Sequence, residues 1–217
     1  MNAKYVLTDY LGVLLKKETT LLNLIALLFI TYISEFLGKG LQLSKTIDQL
    51  DKIDTSVSVR DQMDEVAMFT TRVEMYSTMG LMVSGIAVGF MFENIGRRRT
   101  MGIFIVALGI TTISFPYTLA SPMYLMACIV ALQIVTGSLA QNPILVDMIK
   151  KKARGQGTSL AVGTGQVGQL SSQQVITNMK KAFTTPTTYL YMGVGTIVVG
   201  LFSVVFLPSR EIQNDFE

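Results

Sequence analysis

The chain alternates between long apolar runs and short clusters of charged residues, and this alternation limits the folds that it can adopt. The runs are about 18 to 25 residues long, which is the length of helix that crosses about 30 Å of hydrocarbon. Only 15% of the 217 residues are charged, whereas a soluble domain has about 25%. The sequence therefore predicts an all-α, polytopic membrane protein that is surrounded by the lipid bilayer.

Six apolar runs predict six transmembrane helices within residues 19–208. The fifth run is rich in glycine and glutamine, so it is assigned from the pattern of its polar residues and not from its hydropathy. The predicted spans are residues 19–37, 75–92, 100–120, the run from the Ser121–Pro122 turn to Ile149, 157–179 and 189–207.

The distribution of Lys and Arg predicts the orientation, since cytoplasmic loops carry an excess of both residues. With the N-terminus inside, eleven of the 18 basic residues lie in inner segments and seven in outer segments. Five of the outer seven fall in residues 39–74, which predict an outer hydrophilic loop, of which part could form an amphipathic helix. Residues 1–18 then form an inner N-terminal segment and residues 209–217 an inner C-terminal tail.

The short basic loop between the second and third spans contains paired glycines, an acid and an arginine cluster. It reads GFMFENIGRRRT, and the residues concerned are Gly89, Glu93, Gly96, Arg97, Arg98 and Arg99. This pattern resembles the inner-loop motif of the major facilitator superfamily, with Glu93 where aspartate is usual and Asn94 where a base is usual. The resemblance implies a charge relay from the acid and arginines to a neighbouring helix end. Three arginines after a span also fit a simple topology anchor.

Two further stretches are similar to the same family, so that the resemblance covers roughly residues 19–210. The stretch KKKARGQGTSL resembles the basic start of the family's fifth or eleventh helix, and FLPSRE resembles the end of the last helix in sugar and organic-ion transporters. The resemblance implies half of a major-facilitator bundle, closer to the carboxy-terminal half. Gln133 stands where amino-terminal halves of proton-coupled antiporters often carry a buried arginine, which agrees with a carboxy-terminal half or with lost proton coupling.

Uncharged polar residues in spans four and five are candidate pathway-lining groups. They fit either a path for a neutral or zwitterionic solute or hydrogen bonds between packed helices. Glu35 and Asp147, which lie near the ends of spans one and four, are expected at the membrane interface. The candidate pathway residues are Gln133, Gln141, Asn142, Gln166, Gln169 and Gln173.

Small residues at four-residue spacing predict close helix packing in two places. Gly85 and Gly89 form one such pair in span two. In span five, Gly157, Ala161 and Gly165 begin a series that continues through Gln169 and Gln173 and predicts a single stripe along the helix.

The sequence predicts no enzyme, no cofactor, no metal site and no nucleic-acid partner. It has no histidine and one cysteine, and it contains no phosphate-binding loop or nucleophile motif. Two functions stay open. One is a half-size transporter of a small solute that pairs with a second six-helix half, either a second copy or a separate chain. The other is a non-transporting accessory subunit of a larger membrane complex, for example a respiratory one. A plasma membrane and a mitochondrial inner membrane are both compatible with this composition.

Overall fold

The computed structural model of the protein describes residues 12–15, 19–50, 58–117, 128–129, 132 and 141–207. This part of the chain is helical, apart from connecting turns and one isolated β-bridge between Leu15 and Ile149, which confirms the all-α fold. Its longer helices are α1 (Leu21–Leu50), α2 (Val59–Asn94), α3 (Arg97–Ser114), α4 (Gln141–Met148), α5 (Arg154–Ala182) and α6 (Thr185–Phe206).

Four of the described helices are long and apolar enough to cross a membrane, namely α1, α2, α3 with its 3-10 extension to Tyr117, and α6. They coincide with predicted spans one, two, three and six. Helix α4 is the inner end of the predicted fourth span, most of which lies outside the described residues. Helix α5 covers the predicted fifth span, residues 157–179, but its glycines and glutamines make it more polar than the other four. The protein is a polytopic membrane protein.

The hydrophilic stretch 39–74 is helical at residues 39–50 and 59–74. Helix α1 continues to Leu50, and α2 begins at Val59 after Ser58, whose side chain accepts a hydrogen bond from the Asp61 amide at 3.3 Å. The helix that was left open for part of this stretch is thus present at residues 39–50 and 59–74, and the outer position of the stretch stays a prediction. The 36 residues of α2 make a helix of about 54 Å, so α2 extends well beyond the roughly 30 Å of hydrocarbon.

Helices α3 and α6 lie against each other along a seam of glycines. A Cβ atom built on Gly109 would lie 2.8 Å from the carbonyl oxygen of Gly193, and one built on Gly193 would lie 2.7 Å from that of Gly109. Gly102 and Gly200 continue the same contact towards the start of α3. Because no larger residue fits at these distances, the seam depends on glycine at both helices.

Helices α1 and α5 form the second close pair. A Cβ atom built on Gly168 of α5 would lie 2.5 Å from the carbonyl oxygen of Tyr32 on α1. One turn closer to the start of α5, a Cβ atom on Gly165 would lie 3.0 Å from Cγ of Glu35. The two helices run in the same direction, because Leu24 and Ala161 share one buried cluster and Phe36 and Ile176, later in each helix, share another.

The buried apolar side chains form two main clusters, one near each end of the helices. The end that carries Arg97 and Lys150 is called the inner end, after the orientation that the basic residues predict. The inner core contains Leu14, Leu15, Leu24, Leu27, Ile30, Met101, Ile105, Ile144, Leu145, Met148, Ile149, Ala153, Ala161, Val199 and Leu207. The outer core contains Phe36, Leu37, Val73, Leu108, Phe115, Ile129, Ile176, Tyr189 and Met192.

Buried hydroxyl groups in the seam helices donate to carbonyls of their own helix. Thr112 donates to the Leu108 carbonyl at 2.7 Å, Thr196 to that of Met192 at 2.8 Å, and Ser203 to that of Gly200 at 2.6 Å. Such bonds satisfy a hydroxyl where no water is available. These polar residues therefore need no pathway to explain them.

Candidate functional site

The turn between α2 and α3 depends on one glycine of the motif. Gly96 has φ 88° and ψ 152°, a backbone conformation that residues with a Cβ atom rarely adopt. Its carbonyl oxygen accepts the amide of Thr100 at 3.1 Å and the Thr100 hydroxyl at 2.9 Å, which begins α3. The second motif glycine, Gly89, lies inside α2, and no atom would come within 4 Å of a Cβ atom built there.

The first residue of α3, Arg97, forms an ion pair with Asp147 near the end of α4. The side chain of Asp147 is 11% exposed and that of Arg97 is 31% exposed, so the carboxylate is largely removed from solvent. A charge in such a place is stable only with a partner. The pair fixes the start of α3 to the inner end of α4.

The other polar residues of the motif have different surroundings. Glu93 is exposed at the end of α2 and forms no ion pair with any described residue. Asn94 donates from Nδ2 to the Phe90 carbonyl at 2.8 Å, within its own helix. Arg98 donates to the Leu207 carbonyl at 3.4 Å, which links α3 to the end of α6, and Arg99 is exposed. The acid that receives an arginine is therefore Asp147, which the motif pattern did not identify.

The chain before α1 is fastened to the chain after α4 at the same inner end. The amide of Lys150 donates to the Leu14 carbonyl at 3.1 Å, and the Lys150 ammonium group donates to the Gly12 carbonyl. Leu14 and Leu15 are only 1% and 7% exposed and are part of the inner core. Residues 12–15 are here called the inner strap. They contact the chain at Lys150, three residues after Asp147.

The predicted packing residues of α5 are buried, and those of α2 are not. Gly157 lies against Ile149, Ala161 is part of the inner core, and Gly165 lies against Glu35. By contrast, Gly85 is half-buried and Gly89 is exposed. The glycines of the α3–α6 seam were missed, although their seven-residue spacing in each helix was a signal that could have found them.

The predicted single stripe on α5 is wrong beyond Gly165. A helix has 3.6 residues per turn, so a step of four residues rotates about 40° past a full turn. After four such steps from Gly157 the direction has changed by about 160°, which places Gln173 on the exposed face. Successive residues on the buried face are four residues apart, except that Gly165 and Gly168 are three apart. This face consists of Gly157, Ala161, Gly165, Gly168, Ser172 and Ile176.

The glutamines that were predicted to line a pathway are divided between exposed and contacting positions. Gln169 donates from Nε2 to Oε2 of Glu35 at 2.5 Å, and Gln166 and Gln173 are exposed. Gln133 lies outside the described residues. Gln141 and Asn142 lie in α4, but their side chains are outside the described part.

In the part of the chain that the structure describes, the residues that could bind a metal do not form a cluster. No group of three acidic or cysteine side chains there could hold a metal ion. An acidic side chain contacts another helix in the Arg97–Asp147 pair at the inner end and in the contact of Glu35 with Gln169 between α1 and α5.

The family model for the Major Facilitator Superfamily matches residues 19–216. Comparisons with curated proteins and with solved structures give no significant match. Because the matched residues make up most of the 217 residues and include helices α1 to α6 of the described part, the chain belongs to the major facilitator superfamily.

Proposed function

We propose that the chain is one six-helix half of a transporter for a small solute, and that α2 and α5 carry the faces on which a second half docks. Proteins of this family are transporters and not enzymes, and they place the substrate between two halves that rock against each other. The second half would be a second copy of this chain or a separate chain.

The exposed surface of α2 supports this proposal. Only 6% of the most apolar part of α2 is buried. The corresponding shares are 44% for α1, 50% for α3 and 39% for α6. Met75, Met79, Met82 and Ile86 are all more than half exposed, and their spacing of four, three and four residues places them on one face. An apolar face of this kind fits a protein partner or lipid, so α2 by itself does not decide between them.

The exposed surface of α5 is the observation that carries the proposal. On the side away from α1, this helix exposes one face that contains the apolar Leu170, which is 77% exposed, among small and polar residues, namely Ser159, Gly163, Gln166, Gln173 and Thr177. Glutamine amides are unfavourable against hydrocarbon because their donors and acceptors find no partner there. This face therefore requires protein or water, and a second half would supply both.

The inner ion pair supports the same function. Arg97 and Asp147 connect the α2–α3 turn to α4, and Arg98 connects it to the end of α6. These contacts join three inner helix ends into one unit, which is what a half needs in order to move as a rigid body.

The experiment measures assembly and transport on the same material. The full chain is extracted in mild detergent, its mass is measured by native mass spectrometry, and its uptake of a solute library is assayed in liposomes. The proposal expects a complex of two halves and saturable uptake. The double variant Gln166→Leu and Gln173→Leu should weaken the complex, whereas Val194→Leu and Val198→Leu on the apolar face of α6 should not.

Two results would count against the proposal. A monomer without uptake of any solute would overturn it. Stable co-purification with several unrelated subunits, again without uptake, would favour the accessory subunit of a larger membrane complex, because the exposed faces of α2 and α5 would then be covered by that complex.

A further inference from the structure

Three candidate membrane spans have an end at the same end of the bundle. Asn23, two residues after the span of α1 begins, donates from Nδ2 to the carbonyl of Phe206, where the span of α6 ends. Arg97 is the first residue of the span in α3 and is paired with Asp147 of α4. Lys150 follows Asp147 by three residues. It therefore lies at the border of the apolar part of the bundle.

The chain that follows this border carries a concentrated positive charge. Residues 150–154, here called the basic run, read KKKAR, and the sequence contains no acid between Asp147 and Glu211. Asp147 is itself paired with Arg97. The three lysines of the run are exposed. No acid that is close in the sequence is therefore available to neutralise the run.

The basic run lies at the end of α5 where positive charge is least favourable. Helix α5 begins at Arg154, its first turn contains no acid, and Ala153 before it provides no side-chain hydrogen bond. The first amide groups of a helix lack partners within the helix, and the helix dipole is positive there. Lys180 and Lys181 in the last turn have the opposite, favourable position. The start of α5 therefore combines cations and amide donors that an anion would stabilise.

One side chain of the basic run has a buried donor without an acceptor. The Nε atom of Arg154 is buried, and no described group accepts a hydrogen bond from it. Buried donors in folded proteins nearly always have a partner, and a guanidinium group fits the oxygens of a phosphate well. This donor is an observation separate from the charge of the run, and it supports the same type of ligand.

Exposed apolar side chains beside the basic run favour a lipid as the source of the phosphate. Val146 lies four residues before Lys150 and is 37% exposed, and Val13 of the inner strap is 63% exposed. Val13 is next to Gly12, whose carbonyl accepts the Lys150 ammonium group. A free anion would need only the basic groups, whereas a lipid also needs apolar surface for its acyl chains.

We propose that the basic run binds the phosphate headgroup of an anionic phospholipid. Lys152 and Arg154 contact the phosphate, the other lysines of the run add positive charge, and the acyl chains lie against Val146 and Val13. Basic residues next to a membrane span attract anionic lipids in this way. The inference does not rest on the proposed transport function, since a transporter half and an accessory subunit could both hold such a lipid.

The test measures lipid binding to the full chain by native mass spectrometry in mild detergent. The probes are dioleoyl phosphatidylglycerol, which is anionic, and dioleoyl phosphatidylcholine, which has the same acyl chains and no net charge. The wild-type chain should bind the anionic lipid about 10-fold more tightly. Lys152→Gln should weaken this binding about 5-fold, and Arg154→Gln at least as much. Lys181→Gln, which removes an exposed lysine at the other end of α5, is the matched control and should leave it unchanged.

Three results would overturn the lipid site. One is equal binding of the two lipids, and another is an equal effect of Lys152→Gln and Lys181→Gln. The third is binding of the anionic lipid only after deletion of residues 209–217, which would assign the run to the acidic residues of the C-terminal tail.

Inorganic phosphate distinguishes a lipid from a free anion. An excess of inorganic phosphate should not displace the anionic lipid, and full displacement would overturn the lipid as the ligand. Because binding is measured without uptake, the outcome is separate from the proposed function. A monomer without uptake that binds the lipid through Lys152 would retain the lipid site and overturn the transporter half. A transporting complex without lipid preference would do the reverse.

Discussion

Arg97 at the start of α3 is ion-paired with Asp147 near the end of α4, 50 residues further along the chain. Arg97 belongs to a motif whose own acid, Glu93, lies exposed on the other side of the turn. The acid that pairs with this arginine is thus on a different helix from Glu93. The ion pair connects the α2–α3 turn to α4.

Replacing Arg97 should destabilise the protein because it leaves the largely buried Asp147 carboxylate without its partner. Arg97→Gln is expected to lower the free energy of unfolding by about 2 kcal/mol, measured by denaturant unfolding in mild detergent. Glu93→Gln, four residues earlier in the same motif, is the control and should change it by less than about 0.5 kcal/mol. Equal effects of the two variants would show that the ion pair contributes nothing specific.

The glycine seam between α3 and α6 should tolerate no side chain. Gly193→Ala places a methyl group 2.7 Å from the Gly109 carbonyl oxygen, so it should destabilise the protein by about 1–3 kcal/mol through overpacking. Gly195→Ala, two residues away on the same helix, meets no atom within 4 Å and should be neutral or slightly stabilising. Thermal unfolding of both variants, measured side by side, checks this. A destabilised Gly195→Ala with an unchanged Gly193→Ala would contradict the seam.

The two motif glycines should differ in what they require. Gly96→Ala forces a Cβ atom into a backbone with φ 88°, which should cost about 1 kcal/mol or more. Gly89→Ala lies in a helix with open space around it and should not reduce the stability of the isolated chain. Chemical denaturation distinguishes the two. A larger loss at Gly89 than at Gly96 would mean that the turn is not limited by the conformation of Gly96.

The inner strap should stabilise the inner end through its buried leucines. Leu14→Ala removes a side chain that is 1% exposed and is expected to cost about 2–4 kcal/mol. Val13→Ala, next to it and 63% exposed, should cost less than about 0.5 kcal/mol. Thermal unfolding and the rate of proteolysis near residues 149–153 check the difference. Similar behaviour of both variants would show that the strap is not packed in the folded protein.

The sequence was sufficient for the helical class and for most of the helix positions, since apolar length and turn residues are local properties. The sequence did not predict where α1 ends and where α2 begins, because both helices continue through charged residues of the stretch 39–74. Hydropathy measures transfer into lipid, and it does not measure whether a helix stops at the membrane surface.

The contacts between helices were harder to predict than the positions of the helices along the chain. Gly157 and Gly165 of the period-four stripe on α5 pack closely against Ile149 and Glu35, but the pattern ignored the 40° rotation of each step and so misplaced Gln173. The partner of Gly109 is Gly193, 84 positions away, and nothing local to either residue identifies the other. The same holds for Arg97 and Asp147, and for Glu35 and Gln169.

The central claim is that α2 and α5 face protein or water and not lipid. It is tested most directly by spin labels in native membranes, placed singly at Ile86 of α2, Gln166 of α5 and Val198 of α6 in a Cys128→Ser background. Ile86 is 79% exposed and Val198 is 58% exposed in the isolated chain. The account predicts that collision with dissolved oxygen, which concentrates in lipid, is much lower at Ile86 and Gln166 than at Val198. Equal oxygen accessibility at all three positions would contradict it.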